Sequence, residues 1–245
     1  MTYRPDRDLK FLSSIKSSDL DDLVYCLTHD KDGDARLTEE LTSSDEYEEH
    51  NPDHHQYWHL IAAEIQCFGA NTFATIFRGG KGVFYKEVLT DVCKKMKVKY
   101  NEDSRTEKIE QALLMKILTD AMENMSPKEL SDLAAATGIE IVDTPNAQAF
   151  IGAFQAIFRA GGFKSYQITV IVVNAALTTL IGRGLSFAGN AALTRSMAVL
   201  AGPIGWAITG AWTAVDIASP AYRVTIPAVI QVAALRQKYL YEKDS

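Results

Sequence analysis

Hydrophobic positions in the first part of the chain recur at helical rather than strand spacing. Leu20, Leu23, Val24 and Leu27 share one face after Ser18, with Asp21 and Asp22 in the first turn, so the spacing predicts a helix over residues 19–29. Asp30 to Arg36 reads as a turn. Leu37 to Glu49 is acidic and reads as a short exposed helix, closed by a break at Asn51-Pro52. Tyr57, Leu60, Ile61, Ile65 and Phe68 then form one apolar stripe, and Phe73, Ile76 and Phe77 a second before a Gly79-Gly80 turn. Tyr85, Val88, Leu89, Val92 and Met96 predict a helix, and the stripe from Ile109 to Met122 predicts another over residues 106–125. Ser126-Pro127-Lys128-Glu129 is a capping box with proline at the first helical position, and Gly138 is the matching stop.

The pattern changes after Thr144. Uncharged runs cover residues 165–182, 184–194, 196–215 and 224–235. A bilayer span needs ~20 apolar residues, so the run 196–215 is long enough and 165–182 nearly so. Both are rich in small or polar side chains, among them Asn174, Thr178, Gly202, Gly205 and Gly210, which let helix backbones approach closely in membranes and in soluble cores alike. Tyr166 to Val173 is β-branched, but without a partner strand it reads as helix. The expected fold is all-α, an acidic helical body followed by a bundle of apolar Gly/Ala-rich helices. Expected boundaries are a short helical domain at 1–50, the acidic body at 51–143 and the apolar region at 144–245.

Charge follows the same division. Residues 1–143 hold 28 of the 31 acidic side chains against 17 basic ones, whereas residues 144–235 hold a single acid, Asp216, and five bases. Those bases, Arg159, Lys164, Arg183, Arg195 and Arg223, are dispersed through apolar sequence rather than gathered into a phosphate-binding stripe, which argues against a nucleic-acid partner. The hydrophobic content of 47% suits a chain with a real core. The charged start, MTYRPDRDLKF, does not read as a signal peptide, so a cytoplasmic protein is expected, with peripheral or inserted contact at the inner membrane as the route for the apolar region. Cys26, Cys67 and Cys93 are odd in number and widely spaced, the pattern of core residues rather than of a disulfide framework.

Several stretches together resemble a known family. WHLIAAEIQCFGANTFATIFRGGKGVFY at residues 58–85 and DVCKKMK at 91–97 are similar to the central region of the bacterial YaaW-like proteins. GPIGWAITG at 202–210 and AYRVTIPAVIQVAALR at 221–236 resemble that family's C-terminal signature, and DRDLKFL with DLDDLV its short N-terminal domain. The resemblance implies a place near the ubiquinol-cytochrome c chaperones. It implies no reaction.

Candidate chemistry is sparse. Asp30, Asp32 and Asp34 alternate as calcium ligands do, but the glycine and the bidentate glutamate of an EF-hand fall on Ala35 and Leu41, so an Asp/Gly turn is the better account. His55 and His59 share a helix face beside His54 and are weak metal candidates, because no third ligand and no HExxH pattern accompanies them. Arg78 and Lys81 flank a glycine turn ahead of a predicted helix, where an anion or a partner could be held, although the Walker pattern is absent. Glu64 and Asp216 stand in apolar sequence, and a buried carboxylate needs a partner. The expected pairs are Glu64 with Arg78 or Asn71, and Asp216 with Arg223. No catalytic arrangement and no cofactor motif emerges, so the expectation is a non-enzymatic protein. Its apolar C-terminal region either associates with or inserts into a membrane under restraint by the acidic part, or forms the buried core of a soluble adaptor or chaperone-like protein. Membrane lipid and an unidentified protein are the candidate partners.

Overall fold

A computed structural model describes residues 2–36, 39–69, 82–139, 146–186, 201–207 and 221–244. Among them the protein is all-α, and the β-type pairing is limited to an isolated bridge, His29 to Ala35, that closes the Asp30 turn. In that turn the Asp30 carboxylate accepts the backbone N–H groups of Asp32 at 2.9 Å and Asp34 at 3.0 Å, as an Asx turn does.

After a 3-10 turn at Lys10–Ser14, helix α1 (Ser17–Thr28) buries Leu20, Leu23, Val24 and Leu27. Helix α2 is only Asp45–His50, much shorter than the predicted 37–49. The Glu39 carboxylate accepts from Thr42 N–H at 2.9 Å and Ser44 Oγ donates to the Leu41 carbonyl at 2.7 Å instead, and such local bonds compete with helix. The Asn51-Pro52 break separates α2 from α3 (Trp58–Gly69). The stripe at Phe73, Ile76 and Phe77 and the Gly79-Gly80 turn lie outside the described residues. Helices α4 (Tyr85–Lys95), α5 (Thr106–Glu123) and α6 (Pro127–Thr137) follow the predicted spans closely. In α6, Ser126 and Glu129 exchange capping bonds and Gly138 stops the helix in the left-handed conformation at φ 65°.

Helix α7 (Ala147–Ala160) is an addition to the predicted elements. Asn146 caps it by accepting from Ala149 N–H at 2.9 Å, and Phe150, Phe154 and Phe158 repeat every fourth residue along its buried face. Helix α8 (Gly162–Ile181) is the run expected at 165–182, and twelve of its 20 residues are buried. Residues 201–207 are helical, and the rest of the 196–215 run lies outside the described residues. Helix α9 (Tyr222–Asp244) packs along α8 and also meets α1, α3, α4 and α5. From Val224 to Gln237 each of its residues is buried. Buried side chains from Leu9 to Leu235 join in one hydrophobic cluster, so the N-terminal segment shares its core with α8 and α9. At ~1.5–3 kcal/mol for each fully buried leucine, Leu9, Leu12, Leu20, Leu23 and Leu27 anchor that segment firmly.

Candidate functional site

The buried polar groups of greatest interest lie where the N-terminal segment meets α4, α5 and α9. Glu110 projects from the apolar face of α5, and Arg236 closes the uncharged stretch of α9. Arg236 Nε donates to Glu110 Oε2 at 2.7 Å, and its Nη2 donates to the Asp8 carbonyl at 2.7 Å. Tyr85 donates its hydroxyl to the other Glu110 oxygen at 2.7 Å. Burial pushes the Glu110 carboxyl up, and the Arg236 and Tyr85 donors oppose that by holding the anion. Phe11 closes one side, its ring centre 4.4 Å from the guanidinium.

Two aspartates extend this network to the surface. Asp6 accepts from Tyr85 N–H at 2.7 Å, from Gln66 at 3.3 Å and from Asp8 N–H at 2.8 Å. It therefore caps α4 in place of Phe84, whose side chain has no acceptor, while Glu87 accepts from Phe84 N–H at 3.3 Å. Asp8 accepts from the Thr106 hydroxyl at 2.7 Å. Gly82 is required for the approach of this corner to α3, because a Cβ there would stand 2.4 Å from the Gln66 backbone.

Above the network opens a cleft of about 510 Å³. Asp6, Arg7 and Asp8, residues from the 84–94 region of α4, and Tyr100 and Glu102 line it. Lys86 holds the loop after α4 through the carbonyls of Glu102 at 3.0 Å and Ser104 at 2.9 Å. Phe84 is 39% exposed, with the Arg4 guanidinium 3.5 Å from its ring centre. The cleft offers charge and an apolar surface. Burial raises the thiols of Cys26 and Cys93 to about 12 and that of Cys67 to about 11, so all three are protonated at neutral pH.

The residues singled out in the sequence lie elsewhere. His54 Nε2 is 2.9 Å from Asp21 Oδ1 and its Nδ1 meets the Tyr57 hydroxyl. His55 Nε2 bonds the Ser13 carbonyl at 2.7 Å, and His59 Nε2 is 3.3 Å from Glu46. The three imidazoles thus have separate partners, and among the described residues no group of three potential ligands could hold a metal ion. Glu64 is buried on α3, where its oxygens accept from Glu40 N–H at 3.3 and 3.4 Å. Burial raises its carboxyl to about 7, with Glu39 and Glu40 adding to the effect. Arg78, Asn71, Lys81 and Asp216 lie outside the described residues, and Arg223 is exposed near the start of α9.

Sequence reasoning missed Glu110 and Arg236, although Glu110 sits on the face of Ile109, Leu113 and Ile117 and Arg236 ends an uncharged run. It also missed two further pairs that join the ends of the chain. Arg183 is 3.1 Å from Asp22, and Lys238 is 2.9 Å from Asp19.

Comparison with known proteins places this geometry. A family model described as Ubiquinol-cytochrome C chaperone matches residues 53–230, and one described as Domain of unknown function (DUF3944) matches residues 3–37. A UPF0174 protein of Helicobacter pylori strain J99 is 52% identical over 97% of this chain and 94% of its own length. The chain belongs to the UPF0174 proteins of the ubiquinol-cytochrome C chaperone family. A second UPF0174 protein of that strain is 44% identical over 82% of this chain and 98% of its own. The UPF0174 protein YaaW of Escherichia coli K12 is 30% identical over 97% of this chain and 96% of its own, so the resemblance to YaaW-like proteins holds along nearly the whole sequence. No solved structure matches this UPF0174 chain. The DUF3944 segment is the part that supplies Asp6, Asp8, Asp19, Asp21 and Asp22 to the network and pairs above.

Proposed function

We propose that this protein is a non-enzymatic, chaperone-like interaction protein, cytoplasmic, whose apolar C-terminal helices are its own buried core. The observation that carries this reading is the packing of α8. It is the one helix among the described residues long and apolar enough to cross a membrane, yet α9, α5 and α7 cover it. A membrane insertion would strip those helices from it. The paired bases Arg183, Arg236 and Lys238 further bind the C-terminal helices to acids of the N-terminal part, which supports restraint of the apolar region by the acidic one. The description of the matching family model agrees with a protein partner. Arg78 and Lys81 are proposed as additional partner contacts.

Peripheral contact with lipid is a second reading, favoured by the exposure of Trp206 at 76% and Phe163 at 51%. Photo-crosslinking residues placed at Phe163 and Trp206 in the full chain separate the two. Discrete protein adducts in cells, with the bulk of the protein in the soluble fraction, are expected. Adducts to lipid alone, or a chain that resists carbonate extraction from membranes, would overturn the proposal.

A further inference from the structure

We propose that residues 42–56, the segment carrying α2 and the turn before α3, form a strap that His54 latches onto α1 while its imidazole is neutral and releases when the ring takes up a proton. Leu41 and Tyr57, at the two ends of the segment, are fully buried, whereas between them His54 is the one buried residue. Helix α2 buries none. Apart from the Tyr47 ring, 5.5 Å from that of Tyr57, the strap is held by polar bonds to neighbouring elements. Asp53 accepts from the Ser17 hydroxyl, His55 Nε2 donates to the Ser13 carbonyl at 2.7 Å, and Glu46 lies 3.3 Å from His59 on α3. Those bonds are exposed or half-exposed, and each contributes little. Burial concentrates the hold of the strap in His54.

The hydrogen bonds around His54 suit its neutral form. Nε2 lies 2.9 Å from Asp21 Oδ1 on α1 and carries the proton there, while Nδ1 accepts from the Tyr57 hydroxyl. A second proton would sit on Nδ1 and face that hydroxyl, which would then have to donate to Asn51 Oδ1 at 3.4 Å, a long bond in exchange. The charged and titratable groups facing the ring are Asp21 from α1, Tyr57 just ahead of α3 and Asp53 on its own turn, with Tyr47 of α2 behind Tyr57. Asp21 attracts an imidazolium, but its side chain is 44% exposed, so water screens much of that attraction. Asp53 is exposed as well. Lost hydration of the buried ring outweighs both and holds the His54 imidazole below its usual range. The contribution of His54 to docking is therefore complete above pH 6.5 and is lost as pH falls through the lower value of the docked ring. A protonated His59 would attract Glu46 more strongly, but that pair is half-exposed and weak. Opening parts Tyr47 from Tyr57 and bares an aromatic side chain that is otherwise fully buried.

The test follows amide hydrogen exchange in the full-length protein at pH 7.5 and 5.5, corrected for the intrinsic exchange rate. Peptides from residues 42–56 should exchange about threefold faster or more at the lower pH, while peptides from α5 keep their protection. In His54→Gln the side-chain amide can donate to Asp21 and accept from Tyr57 without titrating, so the difference between the two pH values should vanish. His55→Gln should retain it, because the His55 ring donates to Ser13 whether charged or neutral. Should His54→Gln leave the strap open at both pH values, the wild-type ring decides. Its NMR signal, identified by its absence from the variant, should titrate below 6.5. A strap equally protected at both pH values, a pH response that survives in His54→Gln, or an imidazole that titrates at or above 6.5 would overturn the proposal.

Discussion

Glu64 shows how one side chain can carry a pH dependence. Its folded carboxyl is raised from 4.5 to about 7, so folding favours the protonated form. The stability it contributes is present below its unfolded value and is lost as pH rises through 7. Glu64→Gln keeps an acceptor for Glu40 N–H and removes the titration. Urea denaturation at pH 8.5 should show the variant more stable by up to about 3 kcal/mol, with little difference at pH 4.5. A variant that is less stable at pH 8.5 would mean that the anion is held by compensating charge. In the Glu110 and Arg236 pair each charge is buried against the other. Arg236→Met should cost about 3–5 kcal/mol by leaving Glu110 unpaired, and adding Glu110→Leu should recover a large share of that loss. Strictly additive losses in a double-mutant cycle would contradict a coupled pair. Glu64 was legible as an odd charge in an apolar helix. Its actual partner was not, since Glu40 contributes a backbone group that no side-chain pattern announces.

Most helices were legible because their signals are local. The α6 box needs only residues 126–129, and its order of serine, proline and glutamate fixes where the helix begins. Ser126→Ala should lower stability by about 1 kcal/mol in chemical denaturation, and an unchanged midpoint would remove the cap from the account. Helix α4 begins differently, since its cap is Asp6, 79 residues earlier in the chain. No local pattern could predict that bond. Helix α7 carries a local signal in Phe150, Phe154 and Phe158, a narrow stripe beside the longer uncharged runs that follow it. Helix α2 is shorter than the acidic 37–49 segment because serine and glutamate side chains there satisfy the backbone locally without winding it into regular turns.

At the scale of the whole molecule, the uneven charge along the chain is partly resolved within it. Asp19, Asp22 and Glu110 come from the acidic part, and their partners Lys238, Arg183 and Arg236 come from the carboxylate-poor C-terminal part. The family was readable in the sequence because its signatures are contiguous stretches, and so was the all-α class, because helical periodicity is a short-range property. The charge division and the length of the 165–182 run were also plain. Whether that run faces lipid or protein was undetermined, since an apolar helix has the same composition in either place. In the folded chain α9, α5 and α7 pack around α8, a placement that only tertiary contacts fix. The buried pairs and the open cleft likewise arise from residues far apart in sequence, brought together when burial of the shared core offsets the entropy of closing the chain.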